Sequence, residues 1–171
     1  MPKSWRRWIA VFALAAGIGP PLPVASAQQT GWSTSYDPRK RVFLSFRAEK
    51  DGPRALLLAC LRDVDLFTVA SEDVADAASV GKTLTLTLTN GGARYAIMGE
   101  VAHDPIAGTP TFSVDIDLDA PEVTKLKSEL LPVLEGSGPV RLALDGKERE
   151  LPAAGLPAAL DRFKSVCFGQ R

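Results

Sequence analysis

The chain has 171 residues, 46% hydrophobic and 23% charged, with twenty Lys+Arg matched by twenty Asp+Glu. The length suits one domain with a real core. The balanced charge lacks the basic excess with which nucleic-acid binders and anionic membrane surfaces are engaged, so those two partner classes are set aside.

The first 27 residues read as an export signal. Lys3, Arg6 and Arg7 form a basic start, Trp8 to Gly19 is an apolar run, and Ala25-Ser26-Ala27 offers the small residues a signal peptidase needs. Pro20, Pro21 and Pro23 end the run well short of the roughly 20 apolar residues of a membrane-spanning helix. The residues after Arg6-Arg7 fit the twin-arginine route poorly, which favours general secretion. Cleavage after Ala27 leaves 144 of the 171 residues as a single exported β-rich domain, residues 28–171. The removed segment holds three of the twenty basic residues and no acidic one, so the remainder carries about three net negative charges.

Past a polar start (Gln28 to Ser35), strand signals dominate. Arg41 to Phe46 is β-prone. Asp51-Gly52-Pro53 reads as a turn into the continuous apolar run Ala55 to Leu61, which fits a strand buried on both faces. Leu66 to Ala70 is a further strand, and the acidic, alanine-rich stretch Ser71 to Ala78 a loop or single helical turn. Thr83 to Thr89 alternates threonine and leucine, placing Leu84, Leu86 and Leu88 on one face. Asn90-Gly91-Gly92 tolerates the positive φ of a tight hairpin into Ala93 to Val101. Thr111 to Leu118 alternates again, with Phe112, Val114, Ile116 and Leu118 facing inward.

Helical spacing appears late. Asp119 and Glu122 have capping-box spacing, Pro121 suits a first turn, and Val123, Leu126, Leu130 and Leu134 form one stripe that Pro132 should bend. Val140 to Leu144 and Glu148 to Leu151 are strands joined at Asp145-Gly146. A final helix from Leu156 carries Leu156, Leu160, Phe163 and Cys167 on its apolar stripe. The expected class is α+β, mainly β: an antiparallel β-sandwich or strongly bent sheet with two helices in the C-terminal third.

In an exported chain the two cysteines most simply form one disulfide, Cys60–Cys167. The alternatives are two buried thiols or pairing between chains. An intramolecular bond would pin the last helix to the most apolar strand and remove both thiols from catalysis or metal binding.

Several constellations resemble sites and fall short of them. Gly81-Lys82-Thr83 lacks the earlier glycine of a phosphate loop, since position 76 is Asp76, and a strand follows where a helix is needed. His103 is the only histidine, and no serine sits in a G-x-S-x-G elbow. Asp115, Asp117 and Asp119 alternate along a strand, about 6.7 Å per step, too far apart to close on one calcium unaided. The threonine row at 83, 85, 87 and 89 reads as ordinary strand sequence. The basic cluster Arg39-Lys40-Arg41, beside Trp32 and Tyr36, reads as an edge-strand lead-in, with a partner-contact surface made of these five residues as the alternative. Trp32 itself reads as the core anchor of the first strand, or alternatively as a binding-surface aromatic.

The tail has a familiar look. Gly138-Pro-Val-Arg-Leu-Ala-Leu144, Leu151-Pro152, and Gly155-Leu-Pro-Ala-Ala-Leu160 with Phe163 resemble the end of the invasion-associated locus B family of exported bacterial proteins. Leu56-Leu-Leu-Ala-Cys60, with Cys167 after the final helix, is similar to small exported proteins associated with type VI secretion. Either resemblance implies a periplasmic or envelope protein of poorly defined role, without an established catalytic site.

The functional expectation is accordingly a non-enzymatic envelope protein that binds or assists a partner, related to host interaction or secretion, with no cofactor and no metal. Two alternatives stand beside it. One is a small-ligand carrier with an apolar pocket lined by Phe43, Phe46 or Phe112. The other is a carboxylate-based envelope hydrolase using Asp115, Asp117 and Glu100.

Overall fold

A computed structural model describes residues 30–73, 75–105 and 108–169; the expected export signal lies outside them. Among the described residues, nine strands form one antiparallel sheet, curled into a half-barrel: β1 Gly31–Asp37, β2 Arg41–Arg47, β3 Arg54–Leu61, β4 Leu66–Ser71, β5 Thr83–Asn90, β6 Ala93–His103, β7 Pro110–Asp117, β8 Val140–Leu144 and β9 Lys147–Leu151. Their order is β1-β2-β3-β4-β7-β6-β5-β8-β9. The bent-sheet form of the expected class is therefore the observed one. The alternating strands sort their residues as the pleat demands: Leu86 and Leu88 of β5 are buried, while Thr83 and Thr85 are exposed. A two-residue connection, Gly91-Gly92, joins β5 to β6 with Asn90 opposite Ala93.

Two helical segments cover the inner face. The first comprises α1 Ala120–Lys125, a π turn Leu126–Leu130 and α2 Leu131–Glu135, packed over β5 and β6. Asp119 caps it, its Oδ1 accepting the Glu122 amide at 3.0 Å. The bend expected at Pro132 takes a specific form. The Leu131 amide bonds Leu126 O, five residues back, so the ladder widens just before the proline that cannot donate. The widened turn shifts the helical phase, and Val133 joins Leu126, Leu130 and Leu134 in the core.

The second is α3, Leu156–Cys167, packed on β1 and β2. It starts from Gly155 at φ 84°, a left-handed conformation that favours glycine. Leu156, Leu160, Phe163 and Cys167 are its buried face, as the stripe predicts.

The Cys60–Cys167 disulfide joins β3 to the last residue of α3, across 107 positions of sequence. Phe67 lies opposite Cys60 on the neighbouring strand, and its ring meets Phe163 at 6.2 Å and Phe168 at 6.4 Å. The covalent bond is thus embedded in an aromatic cluster that holds the same helix end.

The first strand, expected at Trp32, extends further through polar residues than its sequence suggests. The polar start contains β1, a full seven-residue edge strand. Its stabilisation comes from distant partners rather than from its own apolar content. Trp32 packs on Phe46 at 5.3 Å, Ser33 hydrogen-bonds Ser45 at 3.2 Å, and Thr34 donates to Ala159 O at 2.6 Å.

Candidate interaction surface

β1, the β1–β2 and β3–β4 turns, and the C-terminal end of α3 converge at one flank of the molecule. The strand–turn–strand segment Tyr36 to Arg41 turns at Lys40, whose φ is 62°. Asp37 Oδ1 accepts the Arg39 amide at 2.7 Å, and Lys40 O accepts the Arg62 amide at 3.3 Å. Arg41 Nε donates to both Asp63 oxygens at 3.0 Å and its Nη2 to Asp63 Oδ2 at 2.6 Å. This planar fork ties the start of β2 to the β3–β4 turn. The hydrogen bonds from Arg41 hold the Asp63 carboxyl below its usual range, and those to Asp63 raise the Arg41 guanidinium.

The five residues singled out in the sequence therefore separate into three kinds. Trp32 is 7% exposed and its indole N–H donates to Pro152 O at 2.6 Å, so it is a core anchor that shows only an edge to the surface. Arg41 is committed to Asp63. Tyr36, 55% exposed, and the exposed Arg39 and Lys40 face solvent.

Two open clefts lie between β1 and α3. One, of about 320 Å³, is lined by Tyr36, Lys40, Arg62, Asp65, Ser165, Val166 and Gly169. The other, of about 240 Å³, is lined by Trp32, Ser33, Thr34, Gly155, Ala158, Ala159 and Arg162. The residues that the helix end contributes recur three and four apart, from Gly155 through Ala158, Ala159 and Arg162 to Ser165, Val166 and Gly169. They form one face, beside the buried stripe and along the strand. Lys40, Arg62 and Arg162 bring three positive charges to these clefts. Asp65 brings one negative charge and is itself engaged in an interaction. A third cleft, of about 270 Å³, shares Arg62 and Gly169 and continues past Lys127, which lies 5.9 Å from the Phe168 ring.

Sequence reasoning missed Arg62, Arg162 and the small face of α3. The sequence of the helix marks only its buried stripe. Its flanking face acquires meaning only once β1 is known to run beside it.

The other candidate residues are placed as follows. Asp115, Asp117 and Glu100 lie on the solvent face of β6 and β7, all exposed, and Asp115 Oδ1 accepts the Thr68 hydroxyl at 2.6 Å. Phe46 and Phe112 are 6% and 0% exposed and packed in the core, and Phe43 is half-buried on the opposite face of β2. His103 is exposed, its Nδ1 3.2 Å from Gly108 O. Among the described residues, no three His, Cys, Asp or Glu side chains are grouped to hold a metal ion, and no helix is long and apolar enough to cross a membrane.

The chain matches no known protein family, no curated protein and no solved structure.

Proposed function

We propose that this is an exported envelope protein that binds a partner protein and assists it without catalysing a reaction. The observation that carries this reading is the pair of clefts between the edge strand β1 and a helix tied down by Cys60–Cys167. A disulfide of this kind belongs to an oxidising compartment, in keeping with an N-terminal segment that has the parts of an export signal. The exposed groups at the clefts are an aromatic ring, cations and hydroxyls, which suit recognition of a protein surface.

The test has two arms. Fractionation of cells producing the full chain should place it in the envelope with a mature N-terminus at Gln28; a cytosolic, uncleaved chain rejects export. A photo-crosslinking residue substituted at Tyr36 should then trap a discrete envelope protein, and K40E with R62E should abolish the adduct. Crosslinks that are absent, or unchanged by both substitutions, reject this surface as the contact.

A further inference from the structure

The two edges of the sheet are built differently. β9, Lys147-Glu-Arg-Glu-Leu151, carries four charges in five residues, a usual way of discouraging another strand from pairing. β1, Gly31-Trp-Ser-Thr-Ser-Tyr-Asp37, has no lysine, no proline and no register shift against β2. One side of β1 pairs with β2 along its whole length. Among the described residues, no backbone hydrogen bond reaches its other side. Outward-pointing N–H and C=O groups on alternate residues are a template for one more strand.

We propose that β1 receives an extended acidic peptide segment of the partner, which pairs with it as a tenth strand and lies in the groove against α3. This rests on the partner-binding reading above and specifies how the partner is held. Three features favour it. Seven residues of strand span about 23 Å, enough for a peptide of six or seven residues. Ala158 and Ala159 on the facing helix are small, and the Thr34–Ala159 hydrogen bond fixes the helix at the strand's flank while leaving the cleft open. Arg162, with Lys40 further along, gives the groove a positive excess that complements acidic side chains and disfavours basic ones.

The experiment uses the disulfide-intact mature protein and a displayed library of random decapeptides. Selection should enrich acidic, β-branched sequences. A fluorescein-labelled synthetic copy of the best binder should lose about tenfold or more in affinity with A158W, which fills the groove, and similarly with R162E, which reverses its charge. Both positions are exposed, and an unchanged thermal midpoint verifies that the variants are folded. Hydrogen exchange should slow in residues 31–37 on peptide binding. The proposal is overturned if no peptide is enriched, if neither variant weakens binding, or if protection appears at another strand. A dimer that A158W dissociates also overturns it, since the occupant would then be a second copy of this chain. If the partner trapped from Tyr36 still binds A158W and R162E normally, strand addition fails while partner binding stands. If peptides bind as described and no envelope partner is trapped, the reverse holds.

Discussion

The indole N–H of Trp32 donates to the carbonyl of Pro152 at 2.6 Å, joining β1 at one edge of the sheet to the residue just after β9 at the other. The two residues are 120 positions apart. The bond is therefore a fastening across the open side of the half-barrel, at the point where the chain turns into α3. The Gly155 position that starts α3 lies against the same side chain, an added Cβ there coming to 3.9 Å from Trp32 Cβ. Trp32→Phe keeps a ring against Phe46 and deletes the donor, leaving a part-buried carbonyl without its partner. The expected cost is about 1–3 kcal/mol in denaturant unfolding. Trp32→Ala should cost more, about 3–5 kcal/mol, because packing is lost as well. Equal losses in the two variants would assign the stabilisation to the hydrogen bond alone.

The disulfide acts on the same helix from its other end. Closing a loop of 107 residues restricts the unfolded chain, which on the entropic account contributes about 4–5 kcal/mol, with measured values often lower. Replacing both cysteines with serine should lower unfolding free energy by about that amount at most. It should speed hydrogen exchange in α3 before the β5–β6 hairpin is affected, because the hairpin shares no residue with the bond. Uniform acceleration across the chain would show that the bond stabilises the whole domain cooperatively.

Most of the sheet was legible because its strands announce themselves locally. The alternation of Thr83 to Thr89 and of Thr111 to Leu118 specifies both the strand and its buried face, and Asn90-Gly91-Gly92 marks the hairpin between the first of these and its partner. The apolar stripe of α3 likewise predicts that Cys167 faces the core, where it meets Cys60. β1 was legible only at Trp32, and its extent was not, for the opposite reason. Its Ser33 and Thr34 are held by residues 12 and 125 positions away, a relation no local window contains. The cleft residues share that fate: Lys40 and Arg162 come to line neighbouring clefts only through the placement of β1 beside α3. The apolar run of β3 also promised cover on both faces. Its outer face carries Leu57 and Leu61, both half-buried, while Ala55 and Ala59 are small enough for neighbouring strands to shield.

Gly99 in β6 supplies a position where a usual preference should reverse. Glycine inside a strand ordinarily weakens it, by roughly 0.5–1 kcal/mol relative to alanine. Here an added Cβ would come within 2.6 Å of both Phe112 Cζ and the Ser113 carbonyl oxygen. Phe112 is fully buried, so its ring has little room to yield. Gly99→Ala should destabilise by about 1–3 kcal/mol. Combining it with Phe112→Leu should recover only part of the added loss, since the Ser113 carbonyl belongs to the backbone. A stabilised Gly99→Ala variant would contradict the packing described for β6 and β7.

The Arg41–Asp63 fork should leave a mark on acid stability. Asp63 titrates below its usual value when folded, so its contribution is present above about pH 4 and is lost as pH falls through the depressed folded value. Asp63→Asn should therefore lower the thermal midpoint above that range and converge with the parent protein at lower pH. A constant difference down to pH 2 would mean that the carboxylate charge is not what the fork uses.

Tyr95 should govern part of the alkaline limit in the opposite sense. It is 1% exposed, and burial pushes its hydroxyl pKa well above 10, with Glu122 and Glu129 adding to the shift. The folded state thus resists forming a phenolate that the unfolded chain forms readily. With the folded value raised, the contribution is fully present below about pH 10 and declines as pH rises toward that folded value, by up to about 1.4 kcal/mol per pH unit. Tyr95→Phe has no proton to lose, so its stability relative to the parent should improve steadily above pH 10 and be independent of pH below 9. Denaturant unfolding of both proteins across pH 8 to 11.5 measures this difference directly, and parallel curves over that interval would show that the Tyr95 hydroxyl ionises as readily in the folded protein as in the unfolded chain.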